Sequence, residues 1–254
     1  MTNRYTIILV SFIFIIIYLY VIHNYKINEN FYNNNEKNAK EVIYCFWTGN
    51  NPLTENRKKA LLSIKKNTGV DVILVSPNNL NKYIKPDYPL HDGYKYLSEV
   101  HKADYLRTYF MHHYGGGYTD IKHTNYNWKQ YFNQLNNSDA YGIGYMEIKG
   151  GSPLNLNHKK LIGNGSYIFK PNTPLTKKWY DTLINVMDSK LELLKLNPSN
   201  EPRDYTGKKL NNNIISKYPI AWAEILGNIF HAIIYEYTNK IIKTMPVINT
   251  SNYL

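Results

Sequence analysis

Two short apolar runs with a helical stretch between them constrain this chain most. Residues 42–47 read VIYCFW and residues 71–75 read DVILV. Each run is dense in β-branched and aromatic residues and is bounded by turn-formers: TGNNP follows the first, and Asn67, Thr68 and Gly69 precede the second. That is the signature of a strand buried on both faces. Between the runs, a helix capped at Thr54 or Asn56 and continuing to residue 66 places Ala60, Leu61 and Ile64 on one face. Strand, helix and strand within about 35 residues form a βαβ unit, so the expected fold class is α/β.

The remaining chain continues the alternation. Residues 76–93 read as loop with short helical pieces, and residues 94–114 as a helix stopped by glycines. A strand is expected at 118–121, a short helix at 128–135 and a strand at 140–146. Loop follows at 150–165, then a strand at 166–169 and a long helix opened by Thr173 or Thr176 and ending near residue 196. Residues 197–213 are polar and expected to be mobile, residues 221–237 form a last helix, and residues 247–254 a tail. With 254 residues, 43% of them hydrophobic, there is enough material for one substantial core. The single cysteine, Cys45, excludes an internal disulfide and reads as a core residue.

The N-terminal end differs in character. Residues 5–22 (YTIILVSFIFIIIYLYVI) carry no charge and are long enough to span a bilayer, with no small-residue cleavage site after them. The expected organisation is a tail at 1–4, a transmembrane signal anchor at 5–22, an Asn-rich stem at 23–40 and a folded domain at 41–254. In that organisation the protein is single-pass, with its folded domain in a Golgi- or ER-type lumen if the source is eukaryotic or viral. The formal net charge of +11 fits an anionic partner, and equally an AT-biased composition rich in Asn, Ile, Lys and Tyr. The basic residues are scattered rather than clustered, which argues against nucleic acid.

The stretch with the most chemistry in it is residues 101–122, HKADYLRTYFMHHYGGGYTDIK. Asp104 and Arg107 lie three apart on the expected helix and so share a face. They read as a surface ion pair of little worth, or as a pair in which Arg107 donates to ligand oxygens while Asp104 accepts from hydroxyls. Gly115, Gly116 and Gly117 stop a helix or let backbone approach something closely. Asp120 at a strand end is unfavourable locally, and ligands in α/β sheets bind at such edges. His112, His113 and His123 lack the spacing of a zinc site.

This stretch resembles the core motif of glycosyltransferase family 32 and its capsular polysaccharide synthesis relatives, S/A-D-x-x-R followed by a helix and Y-G-G-x-Y-x-D-x-D. VIYCFWTGN resembles the first strand of that family, and the likeness is firm over residues 42–120. It implies a GT-A fold, a Rossmann-like nucleotide-sugar-binding domain, here behind the N-terminal transmembrane helix. It implies transfer of a hexose from a UDP- or GDP-linked donor to a glycan or polysaccharide acceptor. By the resemblance Trp47 stacks on the donor base, Asp104 and Arg107 hold sugar hydroxyls, and Asp120 contacts sugar or ribose. Gly116 and Gly117 let the strand backbone lie near the donor. The second acid of D-x-D, the usual ligand of Mn²⁺ or Mg²⁺, is Lys122 here. That substitution implies metal-independent transfer with Lys122 as the cation, metal held by Asp120 with another acid such as Glu224, or a degenerate chain that binds nucleotide sugar or glycan without turnover. Glu224 and His231 lie in an apolar stretch, where an acid is costly unless paired.

Overall fold

The computed structural model describes residues 16, 18–20, 37–150, 155–210 and 214–248. Residues 39–254 form one compact unit and residues 1–38 another. In the larger unit β1 (Val42–Phe46) leads through α1 (Glu55–Asn67) to β2 (Asp71–Val75). Thr54 caps α1 by accepting from the Arg57 N–H, which satisfies one of the orphan donors of the first turn. The two strands pair in parallel, Val42 opposite Asp71 and Phe46 opposite Val75, as a βαβ unit requires.

Next comes α2 (Glu99–His113), capped by Ser98, then β3 (Gly116–Thr119), α3 (Lys129–Asn136), β4 (Gly142–Met146), β5 (Ile162–Phe169), α4 (Pro174–Leu196), α5 (Gly227–Glu236) and β6 (Ile241–Ile242). The six strands form one sheet in the order β2-β1-β3-β5-β4-β6. β1 is parallel to both β2 and β3, while β5 runs antiparallel between β3 and β4. The result is a mixed α/β fold.

Two cores follow from the period-2 alternation of β1. Ile43 and Cys45 face α1 and α3, meeting Ala60, Ile64, Trp128 and Phe132. Tyr44 and Phe46 face the other layer, meeting Phe110 and Tyr118 in a cluster that also holds Trp179 and Phe230. Cys45 is fully buried, and burial pushes its thiol well above the ordinary range, consistent with an inert core residue.

Several expectations need correction. The expected helix at 94–114 is a 3-10 turn at Tyr94–Tyr96 followed by α2, because Ser98 caps a new start. β3 begins at Gly116, two residues before the expected strand, and Asp120 lies one residue past its end. Positive φ at Gly115 and Gly116 (63° and 87°) turns the chain directly from helix into strand, a conformation open to glycine. β5 starts four residues early, and β6 was not foreseen. Residues 197–210 are not a free loop. The Val100 N–H donates to the Pro202 carbonyl at 3.1 Å, the Ser199 N–H to that of Tyr96 at 3.0 Å, and Asp204 is fully buried. The last helix starts at Gly227 rather than 221, because the Glu224 carboxylate folds the preceding turn by accepting from the Ala221 N–H.

The membrane placement is also corrected. Among the described residues no helix is long and apolar enough to cross a bilayer. The single-pass, lumenal placement therefore does not stand. Of residues 5–22 only 16 and 18–20 are described, as helical and exposed. The rest of that span, and residues 23–36 of the expected stem, lie outside the described residues.

Candidate active site

The carboxyl ends of β1 and β3 and the first turns of α1 and α2 converge on one edge of the sheet. Trp47 follows β1, with its backbone N–H on the Val75 carbonyl at 2.9 Å and its indole N–H on that of Asn51 at 2.6 Å. The Thr48 hydroxyl donates to the Glu99 carbonyl at 2.6 Å, tying the loop after β1 to the start of α2. Asp120 keeps its place beside β5 through its N–H, which donates to the Gly165 carbonyl at 2.8 Å.

Around Asp120 the charges are dense. Its Oδ1 accepts from the Tyr118 hydroxyl at 2.6 Å and from Arg107 Nη2 at 3.1 Å, and its Oδ2 lies 2.9 Å from Lys122 Nζ. Arg107 also donates to the Asn164 carbonyl at 3.1 Å, lies over the Tyr118 ring at 4.5 Å, and comes within 3.7 Å of Asp104. Asp104, Arg107, Asp120 and Lys122, from one helix and one turn, are thus a single contiguous cluster. A surface ion pair would be solvated, whereas the Asp104 side chain is only 5% exposed and that of Arg107 13%.

The electrostatics follow from that sharing. Burial pushes the Asp120 carboxyl up, but Arg107, Lys122 and the Tyr118 hydroxyl outweigh it and hold the group below the ordinary carboxylate range. For Asp104 burial wins: its carboxyl is raised to about 6, because Arg107 sits farther from it and Asp120 adds a like charge. Burial works against the Arg107 charge too, yet Tyr118, Asp120 and Asp104 keep its pKa above the usual value.

A cleft of about 490 Å³ opens onto this cluster, lined among others by Trp47, Arg57, Arg107, Asp120, Lys122 and Trp222. A shallower groove of about 640 Å³ between Pro89–Asp92 and the Tyr180–Asn185 face of α4 has no comparable convergence of charge. The cleft therefore unites Trp47, Arg107, Asp120 and Lys122, with Asp104 buried behind Arg107. It does not include Gly116 or Gly117, which are packed inside the sheet. A Cβ on Gly116 would meet the Val42 carbonyl at 2.9 Å, and one on Gly117 the Trp128 ring at 3.0 Å. Their smallness serves strand packing rather than approach to a ligand. Glu224 is not among the lining residues either. It pairs with Lys190 at 2.9 Å, which offsets the cost of an acid in an apolar stretch. His231 lies 3.0 Å from Glu147 in a pair that is 2% and 6% exposed.

Sequence reading missed Arg57, Arg203 and Trp222. Arg57 is in the first turn of α1 and donates Nη1 to the Ile121 carbonyl at 2.7 Å, across 64 residues of sequence. Arg203 lies over the Trp222 ring at 5.4 Å, and Trp222 remains 45% exposed. For Arg57 the signal was its place just past the carboxyl end of β1, where α/β ligands bind. The other two belong to loops with no periodicity to read. As for metal ligands, no group of three or more His, Cys, Asp or Glu residues able to hold an ion is found among the described residues.

No curated protein matches the chain significantly. Among solved structures, one titled "PaToxG Glycosyltransferase" is similar at a TM-score of 0.47 with 14% sequence identity, covering 85% of this chain and 79% of that one. The family of capsular polysaccharide synthesis proteins matches residues 17–194, well over half of the sequence and all of the cluster from Trp47 to Lys122, so the chain belongs to that family.

Proposed function

We propose that this chain is a glycosyltransferase of GT-A type, which binds a UDP- or GDP-linked hexose in the cleft beside Asp120 and transfers it to a glycan or polysaccharide acceptor. Membership of a family named for capsular polysaccharide synthesis supports the substrate class. The observation that carries the reading is the convergence of Asp104, Arg107, Asp120 and Lys122 at the carboxyl edge of the sheet, under a cleft walled by Trp47. Structural ion pairs do not need such burial, and buried, shared charge is how a site holds hydroxyl-rich ligands in a fixed geometry.

In this reading the Trp47 ring stacks on the donor base. Its indole N–H is engaged with the Asn51 carbonyl, which fixes the plane of the ring. Asp120, kept ionised, accepts from sugar or ribose hydroxyls, and Arg107 is held over Tyr118 so that its guanidinium does not reorganise when the donor binds. Incubating the protein with UDP- and GDP-hexoses and following released nucleotide tests the proposal. Release from one donor, lost in Asp120→Ala and Trp47→Ala, is the expected result; release unaffected by Asp120→Ala would refute it. A second reading, a chain that binds donor without turnover, draws on the ammonium of Lys122 seated on Asp120. It predicts donor binding with no release in the presence of any glycan acceptor.

A further inference from the structure

The resemblance implies a divalent ion at the leaving diphosphate, but the residues at that corner do not suit one. Hard divalent ions take several oxygen ligands, carboxylates above all. Here Oδ1 of Asp120 already accepts from Tyr118 and Arg107, and Oδ2 faces the ammonium of Lys122. Asp104, the nearest other acid named in the cluster, is buried against Arg107 at 3.7 Å. An ion bound at Asp120 would have to displace one cation and tolerate another close by.

The corner carries side-chain cations on one turn instead. Lys122 is held by Asp120, and its own N–H donates to the Asp120 carbonyl at 2.7 Å. Arg57, reaching across from α1, grips the carbonyl of Ile121, the residue between them, at 2.7 Å. The Asp120 N–H fastens the same turn to β5. The turn is thus tied to a strand on one side and to a helix on the other, and both cations line the cleft.

Resting on the nucleotide-sugar reading above, we propose that Lys122 and Arg57 form a built-in cation pair that binds the donor diphosphate and takes the place of a divalent metal. Together they carry the two positive charges of one such ion. In the transfer, the bond between sugar C1 and the β-phosphate oxygen breaks and its electron pair stays on that oxygen. The acceptor oxygen bonds to C1, and the hydroxyl proton passes to water. Charge grows on the departing phosphate, where a guanidinium supplies paired donors and an ammonium a compact charge. Because the turn is tied down, little reorganisation is needed at that moment.

Calorimetric titration of the full chain with UDP and with GDP, in EDTA and in Mn²⁺ or Mg²⁺, tests this without relying on activity. One of the two nucleotides binds in EDTA, and adding metal moves its Kd by less than about threefold. Lys122→Ala and Arg57→Ala each weaken binding in EDTA by roughly ten- to a hundredfold, the range expected for a lost charge-assisted hydrogen bond. Lys122→Arg retains most of it, and Lys122→Asp restores it only when Mn²⁺ is present. Thermal unfolding of each variant shows whether it is folded, and Lys122→Arg keeps the test valid if the alanine variant is not. Metal-dependent binding by the unaltered protein, or full binding by both alanine variants, overturns the cation pair and leaves the nucleotide-sugar reading standing. Binding of neither nucleotide in any buffer overturns both.

Discussion

Asp104→Asn isolates the energetic consequence of the site's construction. Asp104 is 4% exposed, and its carboxyl is raised from the ordinary 3.8 to about 6. Arg107 does not rescue it, since that guanidinium lies closer to Asp120, at 3.1 Å against 3.7 Å, and is spent there and on the Tyr118 ring. Between pH 3.8 and 6 the folded protein holds a proton that the unfolded chain has released, so stability falls as pH rises through that window, and the loss is complete above it. A displacement of about 2 pH units, at about 1.4 kcal/mol each, makes ionised Asp104 cost ~3 kcal/mol. Asparagine keeps the shape and drops the charge. The variant is therefore expected to be more stable by ~3 kcal/mol at pH 7.5, by about half that at pH 5, by ~0.5 kcal/mol at pH 4, and by nothing below about pH 3. Urea unfolding followed by tryptophan fluorescence at these pH values measures it. A variant less stable than the parent at pH 7.5, or a gain independent of pH, would refute the reasoning. A gain in stability accompanied by loss of donor binding would mark the group as one kept for function.

Two other positions test the packing behind the site. A Cβ on Gly163 would fall 2.0 Å from the Tyr145 ring, which lies across β5, so Gly163→Ala should destabilise by ~3 kcal/mol or more in the same urea assay; a change under ~1 kcal/mol would show that the ring swings away. For the buried pair of Glu147 and His231, His231→Ala should cost ~3 kcal/mol by taking the imidazole from Glu147 Oε2 and leaving a cavity, while the Ile148 N–H stays on Oε1. The double replacement by leucine should cost much less than the sum of the single ones, and strict additivity would argue that the pair is not coupled.

Much of the sheet was legible because burial leaves a local mark. The run at Val42–Phe46 marks a strand covered on both sides; the run at Asp71–Val75 reads the same way but is the edge strand of the sheet, with only Val75 fully buried, and Thr54 and Thr173 announce their helices as caps. The spacing of Asp104, Arg107 and Asp120 also survived folding as a real cluster, because a helix and the strand that follows it hold these residues together over a short stretch of chain. Gly116 and Gly117 show the limit of such reading. Their type says that something passes close by, but whether that is a ligand or the neighbouring strand depends on where β1 and Trp128 lie.

The chain by itself therefore determined the first five strands, the caps and the charged cluster from Asp104 to Lys122, all governed by contacts within a few turns or by hydrophobic pattern. Tertiary structure decided what surrounds that corner: Arg57 on the Ile121 carbonyl, Arg203 and Trp222 brought to the cleft from distant loops, and Glu224 turned away to Lys190. These contacts join segments far apart in sequence through loops without periodicity, so only the packing of the whole sheet and its helices sets which side chains meet.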